Sequence, residues 1–237
     1  MNLEARLDDV RQEYIRRMTQ GDSALLRQVE QYTASHTGKM LRPRMLLASA
    51  ATQGEACLYS QRTLLLAVIV EMLHNTSLLH DDVIDNGTVR RGQPTVNAHW
   101  NNAIAVLVGD YHLVKIMELL HEIGDNDITR AINRTVETMV QAELLQQEPA
   151  EDSHGQNAPA RYLKIIDGKT ANLFATAAAL GNPLYRDFGL HYGRLFQICD
   201  DIRDNEAPPF AHDLLRTLQQ PWPEAFASLP DPRTIVQ

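Results

Sequence analysis

The sequence is poor in cysteine and in aromatic residues, and it has no excess of positive charge. Only Cys57 and Cys199 occur, far apart and outside any Cys-x-x-Cys pair, which argues against a disulfide framework or a thiolate metal site. We expect two buried thiols in a reducing cytoplasm. The first six residues lack the apolar core of a signal peptide, and the run Leu64 to Val70 is too short to span a bilayer.

The balance of charge and the low aromatic content narrow the fold and the partners. The formal net charge of -8 argues against a nucleic-acid partner, and aromatics make up only 6% of the residues. Leu and Ala dominate the apolar set, which favours helix over sheet. A chain of 237 residues is long enough to bury one core, so we expect a single all-α domain over residues 1–237.

One apolar helix ends in three carboxylates and forms the centre of the sequence. Leu66, Ile69, Val70 and Leu73 are its predicted core-facing stripe, and Asn86-Gly87 is a helix-ending signal. At about 100° per residue, His74, Asp81 and Asp85 share one face. The two carboxylates repel each other and oppose the helix dipole, unless a divalent cation binds between them. Hard oxygen ligands suit Mg²⁺, although a solvated acidic helix end would give the same pattern.

Basic segments accompany this acidic helix. His36 to Arg44 includes Lys39 and Arg42 and precedes a helix predicted over Met45 to Gln53. Cations at a helix start oppose the dipole, so an anion held by their side chains and by backbone N–H groups would explain them, and an exposed basic loop is the alternative. Arg90 and Arg91 follow the carboxylates closely, as expected for groups that grip a metal-bound anion.

A second Asp-Asp-x-x-Asp occurs at Asp200, Asp201 and Asp204, where Gln197, Asp201 and Asp204 share a helical face. Before it, Lys169 and Thr170 interrupt an otherwise apolar helix that we expect to break near Gly168. Two such motifs, with basic segments between them, favour a site for several metal ions and a diphosphate over a helical scaffold with acidic ends.

In combination, these motifs resemble the trans-isoprenyl diphosphate synthase, or polyprenyl synthetase, family. The resemblance covers about residues 36–204. It rests on Gly-Lys-x-x-Arg-Pro at 38–43, His74 with Ser77 to Asp85, Arg90-Arg91-Gly92-x-Pro94-Thr95, Gly109-Asp110-Tyr111, Lys169-Thr170-Ala171 and Phe196-Gln197 before Asp200-Asp201. It implies an all-α bundle around a deep central cavity, with both aspartate motifs facing each other at the mouth.

The resemblance also implies a role for each matching residue. Asp81 and Asp85, supported by Asp82, would bind two Mg²⁺ ions, and Asp200, with Asp201 and Asp204 nearby, would bind a third. The allylic diphosphate would contact Arg90, Lys169, Thr170 and Gln197, and isopentenyl diphosphate would contact Lys39, Arg42, His74 and Arg91. Asp81, Asp85, Arg90, Lys169 and Asp200 would carry catalysis, in which the allylic diphosphate ionises and isopentenyl diphosphate attacks the resulting cation.

Two further expectations concern product and assembly. Thr76 and Ser77 lie about one turn behind the motif, and both are small. In the family a bulky aromatic there stops chain growth early, so we expect a product of medium or longer chain length. The family usually forms homodimers, and the helix predicted over Ala98 to Leu120 offers an apolar seam for one.

The C-terminal end departs from the family pattern. Relatives follow the second motif with a Gly-Lys loop and further helices, whereas Asn205 to Pro209 and a proline-rich segment to residue 237 follow here. We therefore expect a shortened C-terminal end. The alternative function is a non-catalytic or regulatory subunit of a heteromeric synthase, in which a partner supplies the closing elements.

Overall fold

The computed structural model describes residues 2–34, 38–149, 157–218 and 222–235, and nearly all of its regular structure is helical. The helices up to residue 123 are α1 (Leu3–Met18), α2 (Ala24–Ala34), α3 (Leu41–Ala51), α4 (Glu55–Leu58), α5 (Gln61–Ile84), α6 (Val96–His99) and α7 (Asn102–Ile123). The later helices are α8 (Asn126–Gln147), α9 (Ala158–Ile166), α10 (Asn172–Gly181), α11 (Arg186–Asp204) and α12 (Ala211–Thr217). Short 3₁₀ turns cover Pro183–Tyr185, Glu224–Phe226 and Pro232–Ile235. The predicted all-α class is confirmed.

The chain divides into two compact units. The first comprises Met1–Arg44 and Tyr59–Asp125, and the second comprises Met45–Leu58 and Asn126–Gln237. The first unit contains α5 packed against α7, and the second contains α10 packed against α11. Each aspartate motif belongs to a different unit, so each is described within its own.

Helix α5 is the central element of the first unit. Ser60 caps its start by accepting a hydrogen bond from the Thr63 N–H, and every residue from Leu65 to Leu73 is buried. The predicted stripe is therefore part of a helix that is buried on all sides over two turns. By length and composition α5 could cross a membrane, but 72% of its most apolar window is buried within the structure, as in the core helix of a folded domain.

Both aspartate helices end in the same way. Asn86, just beyond α5, has φ +54°, and Asn205, just beyond α11, has φ +60°. The next N–H in each case donates back into the last turn, from Gly87 to the Asp82 carbonyl at 2.9 Å and from Glu206 to the Asp201 carbonyl at 2.8 Å. Asparagine tolerates this left-handed conformation, so the chain leaves each motif in a fixed direction. The predicted end at Asn86-Gly87 is confirmed.

A small hairpin follows α5 where only a loop was expected. Strands β1 (Val89–Arg90) and β2 (Gln93–Pro94) pair antiparallel, with Arg90 opposite Gln93. The two turn residues, Arg91 at φ +53° and Gly92 at φ +76°, have the left-handed conformation that a tight two-residue hairpin requires. The hairpin directs Arg90 back to Asp82 at the end of α5 and brings Arg91 against Gly38.

Two predicted helix boundaries were wrong. Helix α3 begins at Leu41 rather than at Met45, because Pro43 lies in its first turn, where a missing N–H costs nothing. The helix predicted over Ala98 to Leu120 is two helices, because Asn101 caps α7 through the Ile104 N–H and ends the run from α6. His36 and Thr37 of the predicted basic segment lie outside the described residues.

The predicted break near Gly168 is a π-helical turn, Asp167–Ala171, that joins α9 to α10. A Cβ on Gly168 would lie 2.4 Å from the Ala142 Cβ and 3.0 Å from the Thr138 carbonyl oxygen. Glycine therefore permits α8 to pack directly against the turn. The extra residue of a π turn changes the direction of the side chains that follow, here Lys169 and Thr170.

Candidate active site

The first aspartate motif is paired with the hairpin. Asp82 is 7% exposed, and its carboxylate accepts hydrogen bonds from Arg90 Nε at 3.0 and 3.1 Å and from Arg90 Nη2 at 2.7 Å. Asn97 Nδ2 donates to the backbone carbonyls of Asp82 and Gly87, both at 3.0 Å. Asp81 is half-buried and Asp85 is exposed. Asp82 thus positions Arg90, while Asp85 faces solvent.

Three of the four residues expected to bind isopentenyl diphosphate share one electrostatic environment in the first unit. Burial, together with the positive charges of Arg42 and Arg91, holds the pKa of His74 well below its usual range, so the imidazole is neutral at pH 7. Arg91 lies against Gly38, where a Cβ would come within 2.5 Å of its guanidinium. Lys39 follows Gly38 and is exposed. A side chain at position 38 would clash with the Arg91 guanidinium, which explains the glycine there.

Glu71 is a buried acid that the sequence patterns did not single out. It is 1% exposed on α5, and burial raises the pKa of its carboxyl, an effect that the charges of Arg42 and Arg91 oppose. It lies one turn before Asn75, whose Nδ2 donates to the Tyr14 hydroxyl at 3.1 Å. Its signal in the sequence was a single acid within the run Leu64 to Leu73.

Within the first unit, a pocket of about 80 Å³ opens between α5 and the hairpin. Its walls include Asn75, Leu78, Asp82, Arg90 and Arg91. His112 also lines the pocket, and its Nε2 lies 2.9 Å from Oε1 of Glu30; both side chains are fully buried. Cationic and amide groups at the rim of a small pocket suit an anionic group.

The second motif is tied to the π turn by a chain of hydrogen bonds. The Thr170 hydroxyl donates to Gln197 Oε1 at 2.6 Å, and Gln197 Nε2 donates to Asp201 Oδ1 at 2.7 Å. The Tyr162 hydroxyl donates to Asp201 Oδ2 at 2.5 Å. The structure therefore brings Thr170, Gln197 and Asp201 together, and it adds Tyr162 to them. Burial, followed by the bond to Asp201, raises the pKa of this phenol.

Lys169, on the same turn, is engaged by α8. Its Nζ lies 2.5 Å from Glu143 Oε2 and donates to Gln146 Oε1 at 3.0 Å. Neither partner was anticipated, because their proximity to Lys169 depends on packing across the glycine contact. An anion that binds Lys169 therefore competes with Glu143 for the ammonium group.

Asp200 and Asp204 share one cation from their own helix. Arg203 Nη2 lies 2.5 Å from Asp200 Oδ1, and Arg203 Nε lies 2.8 Å from Asp204 Oδ1. Burial raises the pKa of Asp200, while the hydrogen bonds from Arg203 lower that of Asp204. Asp201 is held separately by Tyr162 and Gln197.

The donor set fits Mg²⁺, because every predicted ligand is a hard carboxylate oxygen. In the part of the chain that is described, however, no three His, Cys, Asp or Glu side chains already form a metal site. Arg90 at the first motif and Arg203 at the second supply the positive charge instead.

The two residues expected to limit product length are oriented by their own helix. Thr76 is 4% exposed and its hydroxyl donates to the Met72 carbonyl at 2.8 Å, while the half-buried Ser77 donates to the His74 carbonyl at 2.9 Å. With their hydroxyls satisfied, both present little bulk. Their effect on chain length stays a prediction.

Comparison with known proteins agrees with these motifs. The sequence model of the Polyprenyl synthetase family matches residues 23–212. The chain is 39% identical over 195 residues to an all-trans-nonaprenyl-diphosphate synthase (geranyl-diphosphate specific) of Rhodobacter capsulatus, covering 76% of this chain and 57% of that protein. It is 33% identical over 204 residues to heptaprenyl diphosphate synthase component 2 of Geobacillus stearothermophilus, covering 81% and 62%.

Solved structures agree as well. The polyprenyl synthase of Caulobacter crescentus CB15, solved with calcium and isoprenyl diphosphate, matches with a TM-score of 0.77 and 33% identity over 85% of this chain and 62% of that one. The chain thus spans about three fifths of the length of these relatives. With a family match through both units and both aspartate motifs in place, the chain belongs to the polyprenyl synthetase family.

Proposed function

We propose that this chain condenses isopentenyl diphosphate head-to-tail with an allylic diphosphate, giving a trans-polyprenyl diphosphate of medium or longer chain length. The observation that carries the proposal is the end of α5, where Asp82 pairs with Arg90 and where the charges of Arg42 and Arg91 act on His74 of the same helix. Cationic side chains close to carboxylates that could bind a metal ion, in a chain of this family, support the proposal. The nonaprenyl synthase relative supports a long product.

Two to three Mg²⁺ ions are the proposed cofactors, held by Asp81 and Asp85 with Asp82 in support at one motif, and by Asp200 with Asp201 and Asp204 nearby at the other. When bound, they would supply the positive charge that offsets the charge developing on the departing diphosphate. Arg90 remains 40% exposed while it pairs with Asp82, so its guanidinium is accessible to a substrate oxygen. Asp82 then acts chiefly by orienting Arg90.

The remaining polar residues bind and orient the two substrates. Lys169 and the Thr170–Gln197 pair would contact the allylic diphosphate, and Lys39, Arg42, His74 and Arg91 would contact isopentenyl diphosphate. Because His74 is neutral, it offers a hydrogen bond without adding charge. The cations would lower the energy of charge separation, and substrate binding would hold the attacking double bond near the allylic carbon.

Incubation with labelled isopentenyl diphosphate, an allylic primer and Mg²⁺, followed by product sizing, tests the proposal. We expect extension that stops on chelation and falls by about 10²-fold or more in Asp81→Asn, the scale of losing one electrostatic contribution at a catalytic centre. Asp127→Asn, which changes an exposed aspartate of α8, is the matched control. Extension unaffected by both chelation and Asp81→Asn would refute the assignment.

A subunit role in a heteromeric synthase is the second candidate. It is favoured by the 33% identity to a protein named as component 2 of a heptaprenyl diphosphate synthase. We propose a homodimer first, because α7 exposes Leu107, Val114 and Met117 at 63%, 50% and 65%, in positions that form one stripe along the helix. Light scattering of the purified chain distinguishes the two, since a homodimer forms alone and a component requires its partner.

Two broader assignments complete the proposal. The family match runs from residue 23 to residue 212 without regard to the division into units, which supports one polyprenyl synthetase domain over residues 1–237. Cys199 is buried, Cys57 is half-buried rather than fully buried as expected, and both are free thiols. We place the protein in the cytoplasm, and fractionation of cells that express it tests this.

A further inference from the structure

The fork made by Arg203 is a feature of this chain that its proposed reaction does not use. Nη2 of the guanidinium lies 2.5 Å from Oδ1 of Asp200. Nε and Nη2 also donate hydrogen bonds to the two carboxylate oxygens of Asp204, at 2.8 Å each. These are the oxygens that a divalent cation would need. One cationic side chain therefore lies on two of the three carboxylates of the motif.

We propose that Arg203 is an internal competitor for the cation at the second aspartate motif, so that it raises the concentration of divalent ion needed to fill that motif. The inference rests on the proposed function for the identity of the ion. Arg203 is a positioning residue here, because it acts through Asp200 and Asp204 and not on a substrate.

Charge supports the competition in both of its stages. With Arg203 in place, the motif presents two net negative charges in place of three. When an ion binds, the guanidinium must leave the oxygens, and it remains a positive charge on the same turn of helix, repelling the ion. Both effects weaken metal binding. Replacing Arg203 with a neutral residue should therefore lower the Kd for the ion.

Exposure makes the competition modest and reversible. The Arg203 side chain is 46% exposed, and the side chains of Asp200 and Asp204 are 29% and 48% exposed. Partly solvated ion pairs of this kind are weak, so solvent offers the guanidinium an alternative position at low cost. The neighbouring Ile202 instead packs with Ile166 and Ile198, so the helix itself stays fixed when Arg203 moves.

Titration with Mn²⁺, followed by the loss of its free-ion EPR signal, tests the proposal. The background carries Asp81→Asn and Asp85→Asn, so that the second motif dominates binding. We expect Arg203→Leu and Arg203→Gln to lower the Kd for Mn²⁺ by about two- to fivefold, the scale of a weak ion pair. Arg203→Lys should lie between, because one ammonium cannot make the fork.

Arg130→Leu is the matched control, since Arg130 forms an exposed i, i+3 pair with Asp127 on α8. It removes the same charge and should leave the Kd unchanged. If Arg203→Leu and Arg203→Gln are folded but have a Kd equal to or higher than that of the parent, the inference is overturned. It is also overturned if neither the parent nor Arg203→Leu binds Mn²⁺. If the Arg203 variants bind Mn²⁺ more tightly but the protein with its natural sequence does not extend a prenyl chain, the proposed function is rejected and the inference is supported.

Discussion

Gly168→Ala should destabilise the protein although alanine is the better helix former. The new Cβ would lie 2.4 Å from the Ala142 Cβ, about 1 Å inside an ordinary contact of 3.4 Å, and 3.0 Å from the Thr138 carbonyl oxygen. Overpacking of this kind costs about 1–3 kcal/mol, and the backbone contact favours the upper end. Alanine returns about 1 kcal/mol of helix propensity, which leaves a net loss of about 2 kcal/mol.

The assay is thermal unfolding of the parent, Gly168→Ala, Ala142→Gly and the double variant. A loss of about 2 kcal/mol lowers Tm by about 4–8 °C in a chain of this size. Because the double variant removes the Cβ–Cβ clash, its two changes should be coupled by at least about 1 kcal/mol in the favourable direction. The packing argument would be refuted if Gly168→Ala were as stable as the parent. It would also be refuted if the losses of stability in Gly168→Ala and Ala142→Gly simply added in the double variant.

Three further changes test other parts of the two units. Burial raises the pKa of Glu71, so its ionisation favours the unfolded state; as pH rises above 4.5 toward 7, Glu71→Gln should gain stability relative to the parent in urea titrations, and a constant difference would contradict this. Tyr162→Phe deletes the bond to Asp201 and should cost about 1–2 kcal/mol by thermal unfolding, whereas an unchanged Tm would show that the bond contributes nothing. Ser77→Phe should shorten the prenyl product on thin-layer sizing, with Ser23→Phe as control; an unchanged length would remove Ser77 from the cavity wall.

Periodicity and capping signals identified the main features of the two aspartate-bearing units because both kinds of signal act over a few residues. The stripe of α5, its end at Asn86 and the break near Gly168 each follow from local sequence. The start of α3 at Leu41, four residues before the predicted start, has a local reason too, since the first turn of a helix accepts Pro43. The hairpin at Arg91-Gly92 was missed because it needs φ > 0 at a non-glycine residue, which few sequence signals indicate.

Side-chain partners could not be predicted in the same way. The pairing of Lys169 with Glu143 depends on how closely α8 approaches the π turn, and the burial of Glu71 depends on packing around α5. Spacing along one helix did identify Gln197 with Asp201, since residues four apart are neighbours. Contacts within a helix are thus readable from sequence, while contacts between helices need the fold.

Each of the two aspartate motifs has clustered negative charges, and each is stabilised by a different arginine. At the first, the cation for Asp82 comes from Arg90 on the hairpin, and the pair is held where Asp82 is 7% exposed. At the second, Arg203 comes from the same helix, and the side chains of its partners Asp200 and Asp204 are 29% and 48% exposed. Releasing Arg90 leaves a buried carboxylate without its partner, which is costly, whereas releasing Arg203 needs only a rotamer change in water. We therefore expect Asp82 to keep Arg90 when ligands bind, and we expect Arg203 to be the cation that leaves its carboxylates readily.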